Sequence, residues 1–166
     1  MSIYSETNAQ FIHGLTNLSA ILEKAATWAK ENGKTEESLL TAALAADMYP
    51  LVRQVQISTD MAKRAVARLA EIEAPVMEDT ETTIAELQAR IQATIAFMQG
   101  ISDDQLDGDD ERPIVVMARE HELRFTARSY VYKFATPNFY FHFTTAYDIL
   151  RQAGVPLGKR DFVGQI

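Results

Sequence analysis

Four separate stretches of the sequence carry apolar residues at alternating spacings of three and four. In the first stretch the series runs Phe11, Leu15, Leu18, Leu22 and Ala25. This spacing keeps one stripe of a helix apolar. It predicts a helix over about residues 3–31, ended by Asn32 and Gly33. Four long helices that bury such stripes against one another form a four-helix bundle.

The second stripe predicts a helix that begins at Asp47 as its N-cap, with Pro50 in the first turn, where a missing N–H costs little. Its seam residues are Met48, Leu51, Val55, Ser58, Ala62, Ala65 and Leu69. The third helix opens with a capping box formed by Thr83 and Glu86 and closes at Gly100. We therefore expect both helices to contribute a full face to the core.

The fourth helix is predicted from Thr136, with Pro137 at its first position, to Gly154. Its main stripe is Phe139, Phe143, Ala146, Leu150 and Ala153, and other faces are apolar as well. That character predicts burial on more than one side. A 166-residue bundle cannot bury all of this apolar surface internally, so we expect a homodimer. Sedimentation as a monomer at micromolar concentration would contradict this expectation.

Two smaller elements complete the expected fold. Thr35 can cap a short helix after helix one, with acidic residues in its first turn. Residues 102–113 are acidic and turn-rich, which is typical of a loop. After them, β-prone and alternating segments on either side of a polar turn at residues 119–122 predict a β-hairpin. The expected fold class is all-α: one four-helix-bundle domain over residues 1–166, with this hairpin between helices three and four.

Composition excludes several functions. The chain has 16 basic and 23 acidic residues, and its net charge of −7 disfavours nucleic-acid binding. It has no cysteine, hence no thiol nucleophile and no thiolate zinc site. The first residues have no signal-peptide pattern, and no segment has the roughly 20 apolar residues of a membrane helix. We expect a cytoplasmic protein without membrane contact.

His142 is the residue that raises the question of chemistry, since it lies among the aromatic residues of helix four. We expect it to face the bundle interior and to bond to a polar side chain of another helix, because an unpaired buried imidazole costs about 1–3 kcal/mol. The candidate partners are Gln54, Gln56, Asp60 and the polar residues near Asn17. If Asp60 were the partner, its carboxylate would raise the histidine pKa. The candidate ligand-binding set is His142, Asn138, Gln56, Asp60 and Tyr49.

A metal centre is the alternative for the same histidine. A His-x-x-x-His pair on one helix face plus a third ligand would form an open site, but the position one turn before His142 is Asn138, and carboxamides are poor ligands for zinc or nickel. The other histidines, His13 and His121, lie in contexts that do not suggest convergence. We predict no cofactor. The alternative is a zinc or nickel ion held by His142 with Asp60, and Asp47 and Asp148 are further candidate ligands for such a site.

Three segments resemble a known family. The run PNFYFHFTTAYDILRQAGVPLGKRDFVG at residues 137–164 closely resembles the C-terminal signature of a microbial family of unknown function. DMYPLVRQVQISTDMAKRA at 47–65 and ELQARIQATIAF at 86–97 extend the resemblance over most of the chain. That family is placed in the superfamily of DinB-like and YfiT-like four-helix bundles, many of them regarded as metalloenzymes.

The resemblance implies the bundle fold and a homodimer, but not the metal site. Metal-binding members of the superfamily carry one histidine on the second helix and a His-x-x-x-His pair on the fourth. This chain offers Gln54, Gln56 and Asp60 on the second helix, and Asn138 with His142 on the fourth. The superfamily's three-histidine site therefore does not carry over.

Three functions follow as hypotheses. The first is binding of a small polar or anionic molecule in a pocket inside the bundle near His142. The second is a metal-dependent enzyme of the hydrolase or thiol-transferase type with a mixed histidine and carboxylate site. The third is a self-associating structural or regulatory module without chemistry. In the tail, Phe162 and Val163 are expected to dock on the bundle, while Lys159 and Arg160 could bind an anion. Whether the protein is an enzyme stays open.

Overall fold

The computed structural model describes residues 2–118 and 120–165. In chain order the elements are α1 (Ile3–Glu31), α2 (Glu36–Leu40), α3 (Leu51–Leu69), α4 (Ile84–Gln99), α5 (Asp103–Leu106), β1 (Pro113–Ala118), β2 (His121–Thr126), α6 (Ala127–Tyr130), a π-helical segment (Val131–Ala135), α7 (Thr136–Gln152) and α8 (Lys159–Val163). The long helices α1, α3, α4 and α7 form the bundle: α3 packs against α4 and α7, and α1 contacts all three others. The predicted helical bundle with one small hairpin is confirmed.

The caps explain why these helices begin where they do. The Thr35 hydroxyl accepts a hydrogen bond from the Ser38 backbone N–H at the start of α2. Thr83 and Glu86 form the predicted capping box of α4, and Gly100 is its C-cap. Each cap satisfies backbone N–H groups that the first helical turn leaves unpaired. None of the described helices has the length and apolar character needed to cross a membrane.

The predicted start of the second long helix at Asp47 is wrong. Helix α3 begins at Leu51, its N-cap is Pro50, and no side chain caps it. The reason is the proline itself, because the residue that precedes a proline is sterically pushed out of the helical conformation. Tyr49 therefore cannot continue a helical turn from Asp47, and Leu51 instead donates its N–H to the carbonyl of Ala42, at 2.9 Å.

Helix α7 begins at Thr136, as predicted, but helical structure that was not predicted precedes it. Helical structure runs without a break from Ala127, where Thr126 provides the cap, and Pro137 lies inside it. Proline has no N–H to give to the residue four positions back. The chain accommodates this with a π-helical turn, in which the Thr136 N–H bonds to the carbonyl of Val131, five residues earlier.

The region between α4 and α7 contains more structure than the sequence predicts. Ser102 and Gln105 form a capping box for the one-turn helix α5, which buries Leu106 where we expected only loop. The hairpin is confirmed, but its turn is tighter than predicted: Ala118 pairs with His121, so that His121 belongs to β2. The predicted turn residue Arg119 lies outside the described part of the chain.

The C-terminal segment docks on the bundle as predicted. The Phe162 ring stacks on that of Phe143, with centroids 4.3 Å apart. The carbonyl of Phe162 accepts a hydrogen bond from the Asn17 amide at 3.1 Å, and His13 Nε2 lies 2.7 Å from the carbonyl oxygen of Val163. Gly164 follows with a φ of +81°, and a Cβ there would lie 2.5 Å from Asn17 Oδ1, so this contact requires glycine.

Candidate functional site

His142 pairs with a side chain of α3. Its Nδ1 lies 2.7 Å from Oε1 of Gln54, and the His142 side chain is half-buried between the two helices. Neighbouring stripe residues Phe139 and Phe143 are fully buried, which fixes the rotation of α7 and turns His142 towards α3. The predicted hydrogen bond to a polar side chain of another helix is therefore confirmed, and the partner is Gln54.

Gln54 determines which ring nitrogen of His142 carries the proton. The Gln54 Nε2 donates to the backbone carbonyl of Tyr49 at 3.0 Å, and the Gln54 side chain is almost fully buried. Its Oε1 must then be the group that faces His142. Because an amide oxygen only accepts, Nδ1 of the imidazole must be the donor. The neutral ring therefore keeps its lone pair on Nε2, which forms no hydrogen bond to the residues that the structure describes.

Burial determines the charge of the same ring. Desolvation lowers the pKa of His142 below its ordinary value. The partner is an uncharged amide, so the rise in pKa that we expected from an Asp60 partner does not arise. We conclude that the imidazole is neutral near pH 7 and presents Nε2 as a hydrogen-bond acceptor or as a base. We call His142, Gln54 and the Tyr49 carbonyl the His142 site.

Two other predicted residues lie near this site without bonding to the ring. Asn138 donates its amide N–H to the carbonyl of Phe134 at 2.6 Å, which ties it to the π-helical segment. The Tyr49 ring is 56% exposed and lies under the guanidinium of Arg53, 5.8 Å from it. Tyr49 therefore contributes to the His142 site through its backbone carbonyl, by way of Gln54.

Gln56 and Asp60 lie elsewhere, on another face of α3. At about 100° per residue, Gln56 and Asp60 are only about 40° apart, whereas Gln54 and Gln56 are about 160° apart. Gln56 donates its amide N–H to Glu81 Oε2 at 2.7 Å, and Asp60 accepts from Arg90 at 2.8 Å. The structure therefore separates the predicted site into two: Gln56 and Asp60 do not surround His142.

The second site is a buried network of charges around Arg90, whose side chain is 2% exposed. Arg90 contacts Asp60 at 2.8 Å, Asp79 at 3.0 Å and Glu81 at 2.9 Å. Arg53, Lys63 and Arg64 each pair with one of these carboxylates. We call these residues the Arg90 cluster: Arg53, Asp60, Lys63, Arg64, Asp79, Glu81 and Arg90.

Asp60 is the one member of this cluster that the sequence predicts as a site residue, although a signal for the others is present. Arg90 falls at helical spacing between Leu87, Ile91 and Thr94, within the apolar stripe of α4. Lys63 lies in the same way between Thr59 and Val66, both buried residues of α3. A cation inside a buried stripe is rare unless it is paired, and it therefore predicts a buried partner.

The arrangement does not suit the metal centre that the superfamily implies. Asp60, the predicted co-ligand of His142, is held by three cations on the other face of α3. In residues 2–118 and 120–165 we find no group of three histidine, aspartate or glutamate side chains placed to hold a metal ion. Within this range His142 Nε2 is a single donor atom, which is too few for a zinc or nickel site.

Comparison with known proteins gives the family. The family described as "Domain of unknown function (DUF1993)" matches residues 3–163. The chain belongs to the DUF1993 family. A crystal structure of a DinB family member protein from Shewanella denitrificans is 40% identical in sequence, with a TM-score of 0.93, and the match covers 99% of this chain and 93% of that one. None of the curated proteins compared with the chain matches it.

These matches confirm the DinB-like bundle fold that the resemblance implied. The description of DUF1993 assigns no activity, so function has to be argued from the two polar sites of this chain. Among the described residues Nε2 of His142 accepts no hydrogen bond, whereas the charged groups of the Arg90 cluster are paired with one another. The His142 site therefore bears on function directly.

Proposed function

We propose that this DUF1993 protein binds a small polar molecule at the His142 site, through a hydrogen bond donated to Nε2 of the imidazole. The observation that supports this is the chain of two hydrogen bonds from the Tyr49 carbonyl to Gln54 and from Gln54 to His142. A ring held in one tautomer by a buried amide is already arranged for a ligand, which reduces the entropy lost on binding.

The neighbouring aromatic residue supports the same proposal. Phe141 is 57% exposed, and its ring meets the His142 ring edge to face, with centroids 5.1 Å apart. Small-molecule sites commonly combine apolar surface with a few oriented polar groups. Phe141 would cover the apolar part of a ligand whose N–H or O–H group reaches Nε2.

An anionic ligand would bind the same site under a different condition. It needs a protonated ring, and burial lowers the pKa of His142. A carboxylate would therefore bind with uptake of a proton, and its affinity would rise as the pH falls through this lowered pKa. A neutral donor such as an amide would show the opposite trend, because protonation removes the Nε2 lone pair.

The test is an NMR titration of uniformly ¹⁵N-labelled protein at pH 7.5 with acetamide and glycolamide as probes. We expect a saturable shift of the His142 Nε2 resonance, because these probes donate an N–H or O–H group. His142→Gln, which can still donate to Gln54 but has no ring acceptor, should lose the saturable response of its neighbours. His13→Gln is the control, since His13 already bonds to the Val163 carbonyl. Shifts that never saturate, or an equal loss in both variants, would contradict the proposal.

Self-association has separate support. Phe141, Tyr49 and Tyr132 are each more than half exposed, and exposed aromatic side chains are enriched at protein interfaces. The predicted homodimer thus stays a proposal in which a second copy covers part of this aromatic surface. Sedimentation velocity at micromolar concentration decides between a dimer and a monomer.

A further inference from the structure

The segment between α3 and α4 is held to the bundle by carboxylates. Residues 71–82 contain no helix or strand. Within this segment Asp79 and Glu81 bind different terminal nitrogens of Arg90, at 3.0 Å and 2.9 Å, and the Glu78 backbone carbonyl accepts a third bond at 3.0 Å. Two carboxylates therefore lie side by side on one buried guanidinium, and each makes a charge-assisted contact with it.

The helices alone would leave this cluster strongly positive. Arg53, Lys63, Arg64 and Arg90 are four cations, and Asp60 is the one carboxylate of the cluster that comes from a helix. The helical part of the cluster therefore has a net charge of +3, which Asp79 and Glu81 reduce to +1. Asp79 and Glu81 thus supply two negative charges to a part of the bundle that the helices alone leave positive.

Lys63 adds a buried cation to the same cluster. Its side chain is 1% exposed, and its Nζ lies 2.7 Å from Oδ1 of Asp60. Asp60 also binds Arg64 and Arg90, so three cations share this one carboxylate. The ammonium group has three donor hydrogens, and an additional anionic oxygen would accept from one that Asp60 does not use.

A cavity reaches the cluster from outside. It has a volume of about 410 Å³ and is lined by Glu37, Leu40, Thr41, Val52, Glu81 and Thr82. Glu81 thus has one side towards the cavity, while its carboxylate binds Arg90 and Gln56. Glu81 is therefore the residue that both lines the cavity and contacts the guanidinium of Arg90.

We propose that the Arg90 cluster is a binding site for a small dicarboxylate, which Asp79 and Glu81 of the same chain occupy in this structure. A free dicarboxylate reaches Arg90 through the cavity and takes the place of these two side chains. The internal carboxylates compete with the ligand. The apparent affinity for the ligand is therefore its intrinsic affinity multiplied by the fraction of molecules in which Asp79 and Glu81 have left Arg90. This proposal does not depend on the His142 site.

The experiment is isothermal titration calorimetry with succinate at pH 7 and low salt. The variant Asp79→Asn/Glu81→Gln removes the internal competitor, and we expect it to bind succinate at least about tenfold more tightly than the unmodified protein. The matched control is Glu73→Gln/Glu78→Gln. It removes the same charge from the same segment, but the Glu78 side chain does not bind Arg90, which contacts only its backbone carbonyl.

A further variant and a second ligand test the same proposal. Lys63→Met in the Asp79→Asn/Glu81→Gln background should lose the gain, and acetate should bind far more weakly than succinate. An equal gain in the control variant, equal binding of acetate, or no saturable binding by Asp79→Asn/Glu81→Gln would overturn the proposal.

If the variant Asp79→Asn/Glu81→Gln fails to fold, Glu81→Gln alone and an NMR titration of the unmodified protein replace it. Succinate must then shift the Arg90 Nε and Thr82 amide resonances saturably, and their failure to move would equally overturn it.

Discussion

Replacing Arg90 by methionine is expected to lower the free energy of unfolding by about 3–5 kcal/mol, the usual result of removing one partner from a buried ion pair. The Arg90 side chain is 2% exposed and contacts three carboxylates. Without it, Asp60 and Glu81 would remain charged and poorly solvated beside an apolar side chain. Chemical denaturation at pH 7, fitted to two states, measures the loss.

Arg64→Met is the matched control for this prediction. Arg64 binds the same carboxylate, Asp60, at 3.0 Å, but its side chain is 56% exposed. Exposed ion pairs contribute about 1 kcal/mol or less, so this variant should stay close to the unmodified protein. Comparable losses in the two variants would show that burial does not determine how much an ion pair of this network contributes to the free energy of unfolding.

The second large effect is expected at Phe139. Phe139→Ala should lower the free energy of unfolding by about 3–5 kcal/mol, as removal of a fully buried phenylalanine generally does. The ring packs on that of Phe11, with centroids 4.5 Å apart. It also lies directly on α1 at Gly14, where a Cβ would be 2.8 Å from Phe139 Cε1. Thermal and chemical denaturation both report this change.

Phe141 provides the comparison on the same helix. It is two residues from Phe139 but 57% exposed, so Phe141→Ala should change the free energy of unfolding by no more than about 0.5 kcal/mol. The measurement has to be made at concentrations where the protein is monomeric. A loss as large as that of Phe139→Ala would contradict the orientation of α7, and with it the placement of His142.

The long helices were predictable because their seams repeat over several turns. In α1, Phe11, Leu15 and Leu18 are all fully buried, as the spacing predicts. Helix starts near prolines were less predictable. Pro137 fits a first helical turn, but it fits equally a helix interior that contains a π turn, and local sequence does not distinguish them. The hydrogen bond from Thr136 to Val131 decides between them.

The residues of the His142 site were predictable only in part. Burial of His142 requires a partner, and Gln54 was among the candidates on the second long helix. Gln56 and Asp60 are on that helix too, but its rotation turns them towards Arg90. The Arg90 cluster also depends on the segment at residues 71–82, which has no periodicity from which its position could be inferred. Contacts made by such segments are set by tertiary structure alone.

The measurement that tests the central claim most directly is the protonation state of the His142 ring, observed by two-bond ¹H–¹⁵N correlation NMR between pH 5 and 8. The His142→Gln variant assigns the resonances. We expect the neutral tautomer with the proton on Nδ1 at pH 7.5, because Gln54 Oε1 accepts from that nitrogen, and a pKa below the ordinary value of about 6.5. A ring that carries its neutral proton on Nε2, or a pKa at or above the ordinary value, would contradict the account.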